Sequence, residues 1–252
     1  WPDSRQLPID KVGVKGLRYP ITVQDKSQGT QSTIARINMY VNLAEEMKGT
    51  HMSRFLELLN ERQGPFDIRI FGEFLGEIKR RLGADSAFVE LAFPYFIAKS
   101  APLSGARSLV DYDVSYLGQI DAQDHKSITM TLRVPISTVC PCSKELAERG
   151  AHNQRGLVTL SVIIKRFVWI EDLIRLVENA ASCEIFSLLK REDEKECTER
   201  AYDHPRFVED LVREIAGQLK GDANVLYFKV EGETLESIHN HNAYALIEQD
   251  KR

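Results

Sequence analysis

Cys140-Pro141-Cys142 puts two thiols one residue apart, and His152 follows twelve residues after the first of them, inside Gly150-Ala-His-Asn-Gln-Arg-Gly156. Thiolate and imidazole are the donors that Zn²⁺ and similar borderline ions prefer. A closed structural zinc site pairs its cysteines two to four residues apart twice over, and Cys183 and Cys197 do not supply a second such pair. On spacing alone the segment reads as an open metal site, a zinc knuckle or two reduced thiols.

Glu236-Ser-Ile-His-Asn-His241 is the second cluster. In an extended chain His239 and His241 point to one face, because side chains alternate with period two. Two same-facing imidazoles suit one metal ligand and one acid–base group. Taken alone they would read as polar loop residues; beside Cys-Pro-Cys…His they weigh toward chemistry. The third cluster is acidic and spans 188–210. Most of its carboxylates read as solvated, and the run Lys190–Glu196 reads as a charged loop. Glu209 falls in an early turn of a helix, where the macrodipole favours an acid. Helical geometry sets it off the apolar stripe Phe207, Val208, Leu211 and Val212, so it faces water or another subunit.

These residues need elements to hold them. Alternation at Ile37, Met39, Val41 and Leu43 predicts a half-buried strand. A helix is expected over about 51–59 with Thr50 as N-cap, and a second over 66–82 stopped by Gly83. Strands are expected over 86–97 and 107–118 around Pro102-Leu-Ser-Gly105. Strict alternation from Ile128 to Ile136 predicts the strand that delivers Cys140. Leu157–Ile164 predicts another. Helical spacing over 169–177 and over 205–219, the latter between Pro205 and Gly221, predicts two helices. Strands follow near 225–231 and 243–248. Residues 1–33 lack periodicity and read as an N-terminal arm. Each half then runs strand, helices, strand, strand, which suggests two α+β modules, 34–121 and 122–252, joined near 121–125. The second carries most of the candidate site.

The chain has 252 residues, 43% hydrophobic and 28% charged, with a formal net charge of −4. That fits a globular protein with a buried core and gives no global basic field for nucleic acid or an anionic membrane. Local Arg and Lys can still bind a small anion. No stretch approaches the roughly 20 apolar residues that span a bilayer. Trp1-Pro2-Asp3 has neither the basic nor the apolar region of a signal peptide, and lacks an initiator Met, as in a chain whose native start lies upstream. Four unevenly spaced cysteines in a chain of this length fit reduced thiols in the cytoplasm.

Together these motifs resemble the type IB GTP cyclohydrolase I family. The matching pieces are Cys140-Pro-Cys-Ser-Lys-Glu145, Gly150-Ala-His-Asn-Gln-Arg-Gly156, Thr198-Glu-Arg-Ala-Tyr202, Phe207-Val-Glu-Asp-Leu-Val-Arg213, Glu236-Ser-Ile-His-Asn-His241 and Gly49-Thr-His-Met-Ser-Arg-Phe55. The resemblance runs from about residue 10 to the end. It implies an α+β tunnelling fold in tandem, antiparallel sheets with paired helices on one face, assembling into a barrel by strand pairing between subunits. It also implies a homotetramer with interfacial active sites.

By the same resemblance Cys140, His152, Glu194 and His239 hold a divalent metal, Zn²⁺ or a harder ion such as Mn²⁺ or Fe²⁺. Glu209 accepts the two-donor edge of guanine, and His241 transfers protons. His51, Arg54, Lys144 and Arg155, with Arg149, are candidates for the rest of the GTP contacts; Cys142 receives no role. The implied reaction is hydrolytic opening of the imidazole ring of GTP, release of formate and closure to 7,8-dihydroneopterin triphosphate, for folate or a modified tRNA base such as queuosine. Competing readings are the archaeal relative that makes a cyclic phosphate with Fe²⁺, a tunnelling-fold nitrile reductase with a Cys nucleophile and NADPH, and a metal-stabilised assembly protein without turnover.

Overall fold

Alternation of apolar and polar side chains runs through most of the chain, and in the computed structural model it becomes antiparallel sheet. The structure describes residues 3–252; Trp1 and Pro2, on which the reading of the chain's start rests, lie outside the described residues. Among those described, nine strands and six helices follow the order β1 (Ile9–Asp25), β2 (Gly29–Leu43), α1 (Ser53–Glu61), α2 (Ile68–Leu82), β3 (Ala87–Ser100), β4 (Arg107–Ile120), β5 (Lys126–Val139), α3 (Pro141–Leu146), β6 (Asn153–Ile164), α4 (Ile170–Ala180), β7 (Cys183–Glu184), α5 (Arg191–Asp203), α6 (Val208–Gly221), β8 (Val225–Leu235) and β9 (Asn242–Asp250). The chain divides into two compact units, one comprising the residues up to Pro94 with Val114–Met130, the other Tyr95–Asp113 with Thr131–Arg252.

In the first unit the strand order is β1-β2-β3-β4-β5. The expected N-terminal arm is a correction: residues 9–33 form β1 and the start of β2, paired antiparallel from Ile9↔Leu43 to Asp25↔Gly29. Register shifts between Ile9 and Val12 and between Val14 and Leu17 break the alternation, and only Ile21, Val23 and Asp25 of β1 are fully buried. That is why no period shows in the sequence. The turn closes on Asp25, whose carboxylate accepts from the backbone N–H groups of Ser27 and Gln28 at 2.8 Å. Helix α1 begins at Ser53 with Met52 at its N-cap, so Thr50 is not the cap and His51 precedes the helix. Helix α2 is capped by Asp67, which accepts from the N–H of Arg69 and of Ile70. Gly83, at φ 63°, ends it in the left-handed conformation, as expected. Phe71, Phe74, Leu75 and Ile78 form its buried face. A Cβ on Gly118 of β4 would come within 2.5 Å of Leu75 and Phe71, so this glycine permits the helix to lie on the sheet.

In the second unit the order is β3-β4-β5-β6-β8-β9, with β7 on β5. Ladders β6–β8 and β8–β9 are antiparallel. Leu132, Val134, Ile136, Val158, Leu160, Val162, Phe228 and Val230 fill the inner face, against Leu173, Ile174 and Val177 of α4 and Leu211, Val212 and Ile215 of α6. Phe207, expected on that stripe, is instead the N-cap residue and 38% exposed.

The expected loop at 190–196 is also a correction, because α5 runs through it. This helix has almost no apolar stripe for periodicity to reveal; only Asp193 and Ala201 are buried. Asp193 holds it instead. Its carboxylate accepts from the N–H of Leu103 and of Ser104 at 2.9 Å, from the Ser104 hydroxyl at 2.5 Å and from the Lys190 N–H at 2.8 Å. Burial alone would raise this carboxyl, yet the hydrogen bonds led by Ser104 hold it well below the usual carboxylate range.

Candidate active site at the ends of β5, β6 and β8

Strand β5 ends at Val139, and Cys140 is the N-cap of the short helix α3, with Pro141 at the first helical position. Proline suits that place because its missing N–H has no partner there to lose. The chain then turns back through Gly150, at φ 72°, into β6. The return is pinned at two points. The Cys140 N–H donates to the His152 carbonyl at 3.1 Å, and the His152 N–H donates to Ser143 Oγ at 2.8 Å. Cys140 and His152 are both half-buried, whereas Cys142 is exposed. The sequence does not mark Ser143, because a hydroxyl in a polar motif carries no periodic signal.

His239 and His241 lie between β8 and β9, and their rings stack with centroids 5.1 Å apart and planes inclined by 19°. The segment is bent from 237 to 241 rather than extended. The imidazoles therefore come together through the bend, not through strand alternation. Ser237 Oγ lies 3.4 Å from His152 Nδ1, which brings this loop beside the Cys140–His152 turn.

The other expected site residues are placed less closely. Glu194 is exposed in the first turn of α5, next to the buried Asp193. Glu209 is exposed in the first turn of α6, off the buried face. Lys144 is already engaged: its Nζ donates to the Tyr202 carbonyl at 2.6 Å and sits 4.2 Å from the centre of the Tyr202 ring. Arg149 and Arg155 are exposed. Arg155 borders a cleft of about 280 Å³, together with Val139, Ala151, Cys197 and Tyr202. His51 and Arg54 are exposed and belong to the first unit, where the Arg54 N–H donates to the His51 carbonyl.

Among the described residues no three His, Cys, Asp or Glu side chains converge into a group that would hold a metal ion. Cys140 and His152 are brought together and the 237–241 loop adjoins them, while Glu194 is not gathered in. The donor chemistry, one thiol, two imidazoles and one carboxylate, suits a borderline divalent ion. The other two cysteines are unsuited. Cys183 is buried and accepts from Arg200 Nη2 at 3.2 Å. Burial and the adjacent Cys183 push the Cys197 thiol up to about 11, so it stays protonated.

The family described as type I GTP cyclohydrolase folE2 matches residues 1–245. A GTP cyclohydrolase FolE2 of Syntrophobacter fumaroxidans is 56% identical over 249 residues, 99% of this chain and 97% of that protein. Those of Methylobacillus flagellatus and Magnetococcus marinus are 52% and 55% identical, over 100% and 99% of this chain and 94% of each protein. Among solved structures, urate oxidase from Bacillus subtilis 168 has a TM-score of 0.57 at 8% identity, covering 96% of this chain and 98% of that one. Uricase from Arthrobacter globiformis has a TM-score of 0.51 at 8% identity, covering 95% and 92%. These two share the tunnelling fold and, at that identity, nothing further. Matched along almost its whole length, the chain belongs to the type I GTP cyclohydrolase folE2 family.

Proposed function

We propose that this chain is a GTP cyclohydrolase I, converting GTP and water into 7,8-dihydroneopterin triphosphate and formate at the head of folate biosynthesis. The observation that carries the reading is whole-length identity above one half to proteins named GTP cyclohydrolase FolE2. The gathered Cys140, His152 and histidine loop agree with it.

The exposed carboxylate of Glu209 is suited to receive guanine, since a planar edge with two donors needs a bidentate acceptor. His241 would give a proton to the ring nitrogen as the bond to C8 breaks. His239, stacked on it, is the metal-ligating member of the pair, with Cys140, His152 and Glu194. A divalent ion held there, Zn²⁺, Mn²⁺ or Fe²⁺, would supply the Lewis acidity that brings the pKa of a water toward neutrality. Arg155 and Arg54, with His51, are the exposed groups suited to the triphosphate; Lys144 would first have to leave the Tyr202 carbonyl.

Glu194 and Glu209 are both exposed within one chain, which fits a site completed by a second copy. We therefore propose a homotetramer with active sites at its interfaces. No described helix is long and apolar enough to cross a membrane, and a cytoplasmic location, without nucleic acid or membrane as partner, belongs to the same proposal. Use of the product for a modified tRNA base such as queuosine is the alternative to folate. The test is product analysis after incubation with GTP and each metal in turn. Dihydroneopterin triphosphate with equimolar formate supports the reading, a cyclic phosphate would move it to the archaeal type, and no product at any metal loading would leave a non-catalytic assembly protein.

A further inference from the structure

Three residues form a hydrogen-bonded row beneath the candidate site. Thr138, fully buried on β5, stands two residues before Cys140. Gln154, 8% exposed on β6, stands two residues after His152. Glu236 is the first residue after β8 and stands three before His239. The Thr138 hydroxyl donates to Gln154 Oε1 at 2.9 Å, and Gln154 Nε2 donates to Glu236 Oε1 at 2.5 Å. The buried Thr234 adds its hydroxyl to the same Glu236 oxygen at 3.3 Å.

The row sits where backbone pairing stops. The last pair of the β6–β8 ladder on this side is Arg155↔Leu235. One step further the Gln154–Glu236 contact replaces backbone with side chains, and there β8 leaves the sheet and bends toward His239 and His241. Position 154 needs an acceptor toward a hydroxyl and a donor toward a carboxylate, which one primary amide supplies. A bond to an ionised carboxylate in a mostly buried setting is among the stronger ones. A leucine there would leave the Thr138 hydroxyl without its acceptor and Glu236 with only the longer bond from Thr234. A glutamate would set two carboxylates face to face.

We propose that Gln154 is a positioning residue that fixes the 236–241 loop, and with it the stacked His239 and His241, beside Cys140 and His152. Its catalytic readout rests on the function proposed above; its structural readout does not. Both are measured on the full chain in its native assembly, for wild type, Gln154→Leu, Gln154→Glu and the double variant Gln154→Glu with Glu236→Gln. The double variant restores an amide–carboxylate bond with its ends exchanged, and with Glu236→Gln alone measured beside it the set forms a double-mutant cycle.

Amide hydrogen exchange should rise over 236–241 in both single Gln154 variants while β6 residues 157–163 keep wild-type protection. In Gln154→Leu, kcat for GTP should fall about 10²-fold, as misplaced catalytic groups do, with KM changing far less. The double variant should recover loop protection. Wild-type exchange over 236–241 in Gln154→Leu would overturn the proposal, and so would a uniform rise across the second unit, which would mark a merely structural residue. If Gln154→Leu does not fold, the double variant decides: failure to regain loop protection overturns the proposal. Absence of formate release from the wild type would refute the proposed function instead, and loop exchange alone would then confirm or refute the positioning role.

Discussion

The backbone N–H of Cys140 donates to the carbonyl of His152 at 3.1 Å, so two motif positions twelve residues apart stand side by side at the base of the α3 connection between β5 and β6. Because this link is backbone to backbone, it survives substitution of either side chain. Side-chain variants at 140 and 152 therefore report on chemistry with little change in fold.

The stacked histidines should separate by role. His239→Ala is expected to lose metal affinity, whereas His241→Ala keeps the metal and slows ring opening by about 10²–10⁴, the usual worth of a positioned acid–base group. Both rings are exposed, so neither change should disturb folding. Metal content and single-turnover formate release distinguish them. Equal metal content in the two variants would rule out this division.

Glu209→Ala should keep the metal and lose GTP affinity. The carboxylate is exposed near the start of α6, so its contribution to stability is limited to a macrodipole effect of about 0.3–1 kcal/mol. Two guanine donors left without an acceptor would each cost on the order of 1–3 kcal/mol in a closed pocket. GTP binding by calorimetry checks this, and unchanged affinity with unchanged turnover would reduce Glu209 to a helix-dipole residue.

Asp193→Asn should lower the thermal midpoint by several degrees at neutral pH, because an amide cannot accept all four bonds that the carboxylate receives. The Asp193 carboxyl lies below its ordinary range in the folded state. Its stabilisation is therefore fully present above the unfolded value of about 4 and is lost as pH falls through the folded one. The gap between wild type and variant should narrow only below about pH 4. A gap that narrows instead as pH rises from about 5 to about 8, read by scanning calorimetry across pH, would contradict it.

Lys99→Met should be among the most destabilising single changes in the second unit. Lys99 Nζ donates to Glu178 at 2.6 Å, to Glu184 at 2.5 Å and to the Ile185 carbonyl at 3.1 Å, with Lys99 8% exposed. Removing one partner from a buried ion pair costs about 3–5 kcal/mol. Burial already raises the Glu178 carboxyl against the pull of Lys99. Without the lysine it rises further, and a folded pKa above the unfolded one means stability lost as pH rises. The deficit should therefore be larger near pH 8 than near pH 5, an approximate span set by ordinary carboxylate values. Urea unfolding at both pH values checks the size and the sign.

Much of this architecture is legible in the residues, and the exceptions have physical causes. Strand β5 and helices α2, α4 and α6 announce themselves because each buries a periodic apolar face. Helix α5 does not, since one buried carboxylate rather than a stripe anchors it. Strand β1 is hidden by register shifts and by Gly13, where a Cβ would run into the Met39 carbonyl oxygen. Within the site, the thiol and imidazole positions stand out by donor type. Ser143, Gln154 and Glu236 do not, because a hydrogen-bonding role depends on which segments the fold brings opposite one another. Strand alternation would pair His239 with His241, but a bend at 237–241 is what stacks them.

The most direct measurement of the central claim is formate release from GTP labelled at C8, followed in the metal-stripped protein and after reloading with Zn²⁺, Mn²⁺ or Fe²⁺, beside Cys140→Ala treated in the same way. The expected result is stoichiometric formate and dihydroneopterin triphosphate from the reloaded wild type, little from the stripped protein, and none from Cys140→Ala although it retains the fold. Undiminished formate release from Cys140→Ala, or none from the wild type under any loading, would contradict it.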